Sequence, residues 1–276
     1  ANGHDVWRLV RRTPNRNEVY WNIDEQRVET TALTGADVVV HLAGEPIAGA
    51  RWSTEKKRRI KDSRVLGTRL LARELSGLSS PPRVLISASA IGYYGNGGDA
   101  ELTESSPPGH NFLAEVCTAW EAETEEAAKA GIRVVNLRVG IVLAKNGGAL
   151  KAMIPAFRLG LGGPLGDGQQ WISWIALDDL VRAIVHCIDT ESISGPVLGV
   201  SPNPVRQKDF ARALGRAVRR PSFLPAPRMA LKMMMGEMGQ QLLLDGQRCV
   251  PQRLQDTGFK WHAVALQETL FQCVRA

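Results

Sequence analysis

Along the first two thirds of the chain, short runs rich in branched apolar residues alternate with longer stretches of helical periodicity. The short runs predict strands at Val6–Val10, Val38–His41, Val84–Ser87 and Val134–Leu137, with a shorter one at Val197–Val200. The longer stretches predict helices at about Thr54–Leu75, Phe112–Ala130 and Leu177–Cys187. Strands written as nearly continuous apolar runs are buried on both faces. Their alternation with helices therefore predicts an α/β chain built on a doubly wound parallel sheet. The segment DVVVHLAG shows the pattern well, since its apolar run ends in Ala-Gly, where backbone can approach a ligand closely.

From Gly147 the texture changes. NGGALKAMIPAFRLGLGGPLGDGQQ predicts a helix followed by a mobile Gly-rich turn region, and WISWIALDDLVRAIVHCI predicts a return to strand and amphipathic helix. Asp178 and Asp179 are expected to serve as charges near that helix's N-terminus or as a contact between lobes, because adjacent residues point apart. The tail, Ser201 to Ala276, reads as a mainly helical second lobe cut by prolines 221, 225, 227 and 251. Its Met-rich stretch ALKMMMGEMGQQLLLDGQR predicts helix core, since Met fills irregular gaps. At the other end, Asn2-Gly3 reads as the close of a helix before the strand HDVWRLV, which suggests an earlier strand and helix.

Composition narrows the function. With 276 residues, 44% of them apolar and 22% charged, the chain can bury a sizeable core. The net charge of +6 is mild, and the densest basic stretch, EKKRRIKDSR, holds no aromatic residue, which argues against nucleic-acid binding. Cys117, Cys187, Cys249 and Cys273 form no C-x-x-C pair, so neither a disulfide framework nor a zinc or other metal site is expected, and a reducing, cytoplasmic setting is. No apolar run is long enough to span a membrane, and the N-terminus does not read as a secretion signal. No membrane partner is expected.

The candidate chemistry lies at strand ends, where open parallel sheets bind ligands. SASAIGYYG places Ser87, Ser89, Tyr93 and Tyr94 at the end of one strand. Arg11 and Arg12 follow the first strand, at the spot where a dinucleotide fold meets the adenosine ribose. Two arginines there without a carboxylate favour NADP(H) over NAD(H). Leu42, Ala43 and Gly44 can line the adenine side, with Glu45 either accepting a hydroxyl or capping the next turn. The fingerprint G-x-G-x-x-G does not occur, and GLGGPLGDG lies too far downstream to replace it.

Taken together, HLAGEPI, SRVLGTRLLA, PPRVLISASAIGYYG, the W-E pair, LRVGIVLAKNGGAL, PAFRLGLGGPLGDGQQ, SWIALDDLVRAI and LLLDGQRCVPQRL make the chain resemble an extended short-chain dehydrogenase/reductase of the sugar-epimerase-like branch. The resemblance implies a Rossmann core, an NADP-type cofactor, and a smaller C-terminal substrate lobe. It implies a cofactor core over 1–145, a lobe segment over 146–173, a returning helix and strand over 174–200 and the substrate lobe over 201–276. It places Arg11 and Arg12 at the 2′-phosphate, Leu42 and Ala43 beside adenine, Arg64 facing the cofactor, and Ser87 to Ser89 beside the nicotinamide. Ser89 takes the usual catalytic serine position, and Leu137, Arg138 and Val139 begin the loop over the ring. By the same alignment a first strand and its glycine-rich loop would precede Ala1.

One departure stands out. The tyrosine and lysine of the superfamily's Tyr-x-x-x-Lys base fall on Leu113 and Cys117, and neither can do that work. Tyr93 or Tyr94 is a candidate proton donor if a cation such as Arg138 or Lys145 lies near. His110 is placed to overhang a substrate and Cys117 to face the nicotinamide, although a buried thiol there is the plainer reading. The expected function is an NADP(H)-binding oxidoreductase or epimerase-like protein, monomer or homodimer, acting on a small carbonyl or hydroxyl compound. The alternative is an NADP(H)-binding regulator with little turnover.

Overall fold

The computed structural model describes residues 3–30, 33–49, 51–145 and 147–275. The strands are β1 Arg8–Val10, β2 Glu18–Asn22, β3 Arg27–Val28, β4 Val38–His41, β5 Val84–Ala90, β6 Glu101–Leu102, β7 Arg133–Val139 and β8 Ile141–Leu143. They continue as β9 Trp171–Ile172, β10 Trp174–Ala176, β11 Gly195–Gly199, β12 Val205–Arg206 and β13 Arg248–Cys249. The helices are α1 Thr54–Ser76, α2 Phe112–Ala122, α3 Glu125–Lys129, α4 Gly148–Arg158, α5 Leu177–Asp189, α6 Gln207–Val218, α7 Arg228–Gly239, α8 Gln252–Asp256 and α9 Leu266–Arg275.

The main sheet is parallel throughout, in the order β11-β7-β5-β4. A second sheet holds β1, β2 and β3, with β1 and β2 parallel and β3 antiparallel. Period-two alternation sends Val39, Leu85 and Val134 to one face, where Leu70, Leu71 and Leu75 of α1 and Ala127 of α3 meet them. Trp21 and Val28 of the second sheet join the same core. Val84, Ile86, Val135, Leu137 and Val197 point to the other face, under Ala183 and Cys187 of α5 and Leu254 of α8. Helices on both faces of a parallel sheet make this the doubly wound Rossmann arrangement that the sequence pattern implies.

The smaller, mainly helical lobe centres on α6, whose Phe210 and Leu214 pack with Leu150 and Phe157 of α4, Trp174 of β10 and Leu270 of α9. Asp179, buried in the first turn of α5, accepts from the backbone N–H groups of His262 and Ala263 and so ties the tail to the core. This realises the contact between lobes expected of the Asp178-Asp179 pair.

Four sequence expectations are corrected. The first strand begins at Arg8, not Val6. β2 was not anticipated, because its polar ends, Glu18 and Asn22, mask a short alternation that buries only Val19 and Trp21. The single helix expected over 112–130 is two, α2 and α3. The break comes where the Thr124 hydroxyl donates to the Glu121 carbonyl at 2.7 Å, competing with the helical ladder. The Met-rich run is not all core: Met238 is buried, but Met229, Met233 and Met234 project into solvent. Of the expected Asn2-Gly3 helix end, Asn2 lies outside the described residues, while Gly3 has a positive φ of 79°.

Candidate active site

Register builds the site. In the parallel ladder His41 lies beside Ser87 and Ser87 beside Asn136; two residues on, Ser89 lies beside Arg138. All five therefore stand on the sheet face covered by α1 to α3, and they form a polar row at the carboxyl ends of the strands. The next helix supplies their partners.

Ser89 Oγ donates to Glu121 Oε1 of α2 at 2.6 Å. Arg138 grips the same carboxylate in two-pronged fashion, Nε to Oε1 at 2.8 Å and Nη2 to Oε2 at 2.7 Å. Its remaining Nη1 donates to Tyr94 Oη at 2.9 Å, and Tyr94 Oη donates in turn to the Thr103 carbonyl at 2.9 Å. The guanidinium also lies over the Tyr93 ring, 3.4 Å from its centroid. Burial alone would weaken the charge on Arg138, but Glu121 outweighs it and holds the pKa above its ordinary value. Burial drives the Tyr94 phenol well up, with Arg138 offsetting only part. Tyr94 is thus a brace with both sides of its hydroxyl engaged, and the structure does not support it as a proton donor. Tyr93, partly exposed, is the phenol nearer the surface.

Cys117 lies within reach of Ser89 and beside Arg64. Burial, helped by the Glu121 charge, pushes its thiol up to about 11, which makes it a packed residue rather than a nucleophile. Leu113 packs on Gly92, where an added Cβ would come within 3.2 Å of the Leu113 Cβ. Arg64 donates to the carbonyls of Glu45 and Ile60, lies 5.2 Å from the Trp120 ring centroid, and has its pKa lowered by burial. Its guanidinium also covers Gly44, where an added Cβ would come within 3.1 Å of Cζ. Arg64 therefore stands at the tip of β4. Leu42 is exposed there, while Ala43 is half-buried against the core. Glu45 pairs with Lys56 at 2.7 Å.

Behind these groups runs a second buried chain. Trp120 Nε1 donates to Thr68 Oγ1 at 2.8 Å, and Thr68 Oγ1 meets His41 Nε2 at 3.1 Å. Burial lowers the His41 pKa to about 4, so it stays neutral. Ser87 is fully buried in this row. Leu137, its side chain inside the α5 core, and Val139, partly buried on the same face, point away from the row.

At the tip of β1, Arg11 and Arg12 are exposed, but they differ. Arg12 makes a bidentate pair with Glu18 of β2, at 2.8 and 2.6 Å, so the expectation of arginines without a carboxylate is corrected. Arg11 rests on the Trp21 ring, 5.8 Å from its centroid, and no carboxylate among the described residues pairs with it. His110 is exposed in the loop before α2. Lys145, the other cation considered for the tyrosines, instead lines a separate cleft with Lys151, Arg158 and Cys273. Among the described residues no group of His, Cys, Asp or Glu is placed to hold a metal ion, and no helix is long and apolar enough to cross a membrane.

Glu121, Trp120 and Glu104 escaped the sequence reading as site residues. Glu104 is buried and braces β11 by accepting from the Leu198 N–H at 3.1 Å. The W-E pair was the available signal for the first two, since it recurs in the pattern that the chain resembles.

The chain is similar to known proteins over nearly its whole length. Residues 1–197 match the model of the NAD dependent epimerase/dehydratase family, and residues 226–272 match a domain of unknown function. Epimerase family protein MT2273 of Mycobacterium tuberculosis is 42% identical over 271 residues, covering 98% of this chain and 89% of that protein. Human epimerase family protein SDR39U1 is 33% identical over 277 residues, covering 99% and 92%. A crystal structure of human SDR39U1 (isoform 2) with NADPH superposes with a TM-score of 0.91 at 31% identity, covering 99% of this chain and 92% of that one. A nucleoside-diphosphate sugar epimerase from Corynebacterium glutamicum gives a TM-score of 0.80 at 35% identity, covering 98% and 52%.

Proposed function

Since the chain belongs to the NAD dependent epimerase/dehydratase family, we propose that it binds NADP(H) across the strand tips and performs hydride chemistry on a small carbonyl or hydroxyl compound, as an oxidoreductase or epimerase-like enzyme. The observation that carries the NADP(H) preference is Arg11, an exposed guanidinium at the tip of β1 with no acidic partner among the described residues. A 2′-phosphate there would meet Arg11 directly and Arg12 in competition with Glu18. The complex of human SDR39U1 with NADPH supports this reading.

The residues present suit the two ends of such a cofactor. Exposed Leu42 offers an apolar surface toward the adenine side, and Gly44 under Arg64 lets the chain lie flat at the β4 tip. When bound, the nicotinamide ring gives or takes a hydride. Ser89 orients the substrate. Its own proton is donated to Glu121, so toward a substrate hydroxyl Oγ can act only as an acceptor. Arg138 fixes Glu121 and thereby Ser89. Tyr93, stacked on Arg138, is the phenol left to exchange a proton with the reacting oxygen.

A second reading, binding with little turnover, is favoured by α2 itself. Leu113 and the buried Cys117 stand where the superfamily keeps its base, and Ser89 has no proton free to donate. Incubating the protein with NADPH and a panel of simple ketones and sugar nucleotides separates the two. Consumption of NADPH that is lost in Ser89→Ala supports the enzyme. Saturable NADPH binding with neither consumption above the protein-free control nor any change in the configuration of a sugar nucleotide supports the regulator.

A further inference from the structure

The face formed by the end of α4, the strap before α7 and α7 itself has no role in the site described above. There Leu159, Phe223, Met229, Met233 and Met234 are each 73 to 77% exposed, an unusual degree for large apolar side chains gathered in one region. The two segments are physically joined. Ala226 N–H donates to the Pro164 carbonyl at 2.8 Å, and Gly166 N–H donates to the Ala226 carbonyl at 2.9 Å, so the chain after α4 runs beside the strap. Met229 and Met233 lie four residues apart on α7, one helical turn, so these two share a side, with Met234 turned about 100° from Met233.

Along the chain, the charges between Asp209 and Glu237, which itself pairs with Lys57, carry one sign. Residues 210–236 contain Arg212, Arg216, Arg219, Arg220, Arg228 and Lys232 and no aspartate or glutamate. No acid lies between Gly148 and Gly166 either, a stretch that includes Arg158. Of these cations only Arg212 has a carboxylate partner, Asp209, among the described residues. Arg158 also lines, with Lys145 and Lys151, a cleft of about 330 Å³.

We propose that this face docks on an anionic phospholipid surface, with Phe223 and the α7 methionines entering the interface and the surrounding arginines and lysine meeting the headgroup phosphates. Side chains exposed by three quarters project from the protein rather than line a groove, which suits insertion among lipids. A second copy of this chain would oppose like charges, whereas an anionic leaflet complements them. The proposal amends the expectation that membranes play no part: that no helix among the described residues is long and apolar enough to cross a membrane says nothing of surface contact. It stands independently of the cofactor reading.

Sedimentation of the whole chain with vesicles tests it. Binding to vesicles containing phosphatidylserine, none to pure phosphatidylcholine, and an affinity that falls at least about tenfold on raising salt are expected. The triple variant Phe223→Ser, Met229→Ser and Met233→Ser, and separately Arg228→Glu with Lys232→Glu, should each weaken binding by about tenfold or more. All these positions are exposed, so the variants should keep the melting temperature and the NADPH affinity of the parent. Failure to bind the anionic vesicles, equal binding to neutral ones, or binding unmoved by both variants would overturn the proposal. So would a concentration-dependent dimer that the apolar triple variant abolishes, since the face would then be covered by another copy.

Discussion

Glu121 accepts three hydrogen bonds in a place that little water reaches, one from Ser89 and two from Arg138. A charge pair so enclosed contributes modestly when whole and costs heavily when halved. Arg138→Met should therefore destabilise the protein by about 3–5 kcal/mol in urea unfolding. Adding Glu121→Gln should recover most of that loss, because the stranded carboxylate is then gone. His41 gives a second expectation. Buried and neutral, it has a folded pKa of about 4 against an ordinary 6.5. The unfolded chain binds the extra proton between those values, so stability is full above about 6.5 and declines as pH falls toward 4, by about 3 kcal/mol in all. His41→Gln should flatten that part of the stability curve. Ser89 was legible in the sequence because a serine ending an apolar strand is conspicuous. Glu121 was not, because its role depends on the register that sets Ser89 beside Arg138 and on the turn of α2 that faces them both. Arg138 was read both as beginning the loop over the nicotinamide ring and as a candidate cation near the tyrosines; strand alternation sets it on the side of Asn136, where it meets Glu121, Tyr94 and the Tyr93 ring.

Strands and helices of the core were mostly legible, since long apolar runs and helical periodicity are strong local signals. β4 and the start of α1 fall where the pattern puts them. What the pattern could not supply was anything settled by contacts distant in sequence, such as the short β2 and the outward methionines of α7; the α2–α3 break rests on a local hydroxyl bond that periodicity does not register. α2 matters most here, because it carries Leu113, Cys117 and Glu121. Asn111 caps it, its side chain accepting from the Ala114 N–H at 3.0 Å, and it also reaches Asp245 of the smaller lobe at 3.3 Å. Asn111→Ala should cost about 1 kcal/mol in stability. Faster hydrogen exchange should be confined to the first turn of α2. Exchange that rises equally along the whole helix would mean that the cap does not anchor this end.

At the scale of the molecule, two sheets share one core beneath α1, and the strand tips of each carry different groups. The tip of β1 presents Arg11 and Arg12, while the tips of β5 and β7 present Ser89 over its buried carboxylate and guanidinium. The smaller lobe is held to this frame by Asp179 and by Glu237, which pairs with Lys57 of α1 at 2.9 Å. The proposed function makes a separable demand: it assigns nucleotide choice to β1, and substrate handling to β5, β7 and α2. The most direct measurement is the ratio of NADPH to NADH affinity in the parent and in Arg11→Ser, taken in one titration series. The parent should prefer NADPH by at least about tenfold, the worth of one good charge-assisted contact. Arg11→Ser should bring the ratio close to one while leaving NADH affinity where it was. Equal affinities in the parent, or a preference that survives Arg11→Ser intact, would contradict the account.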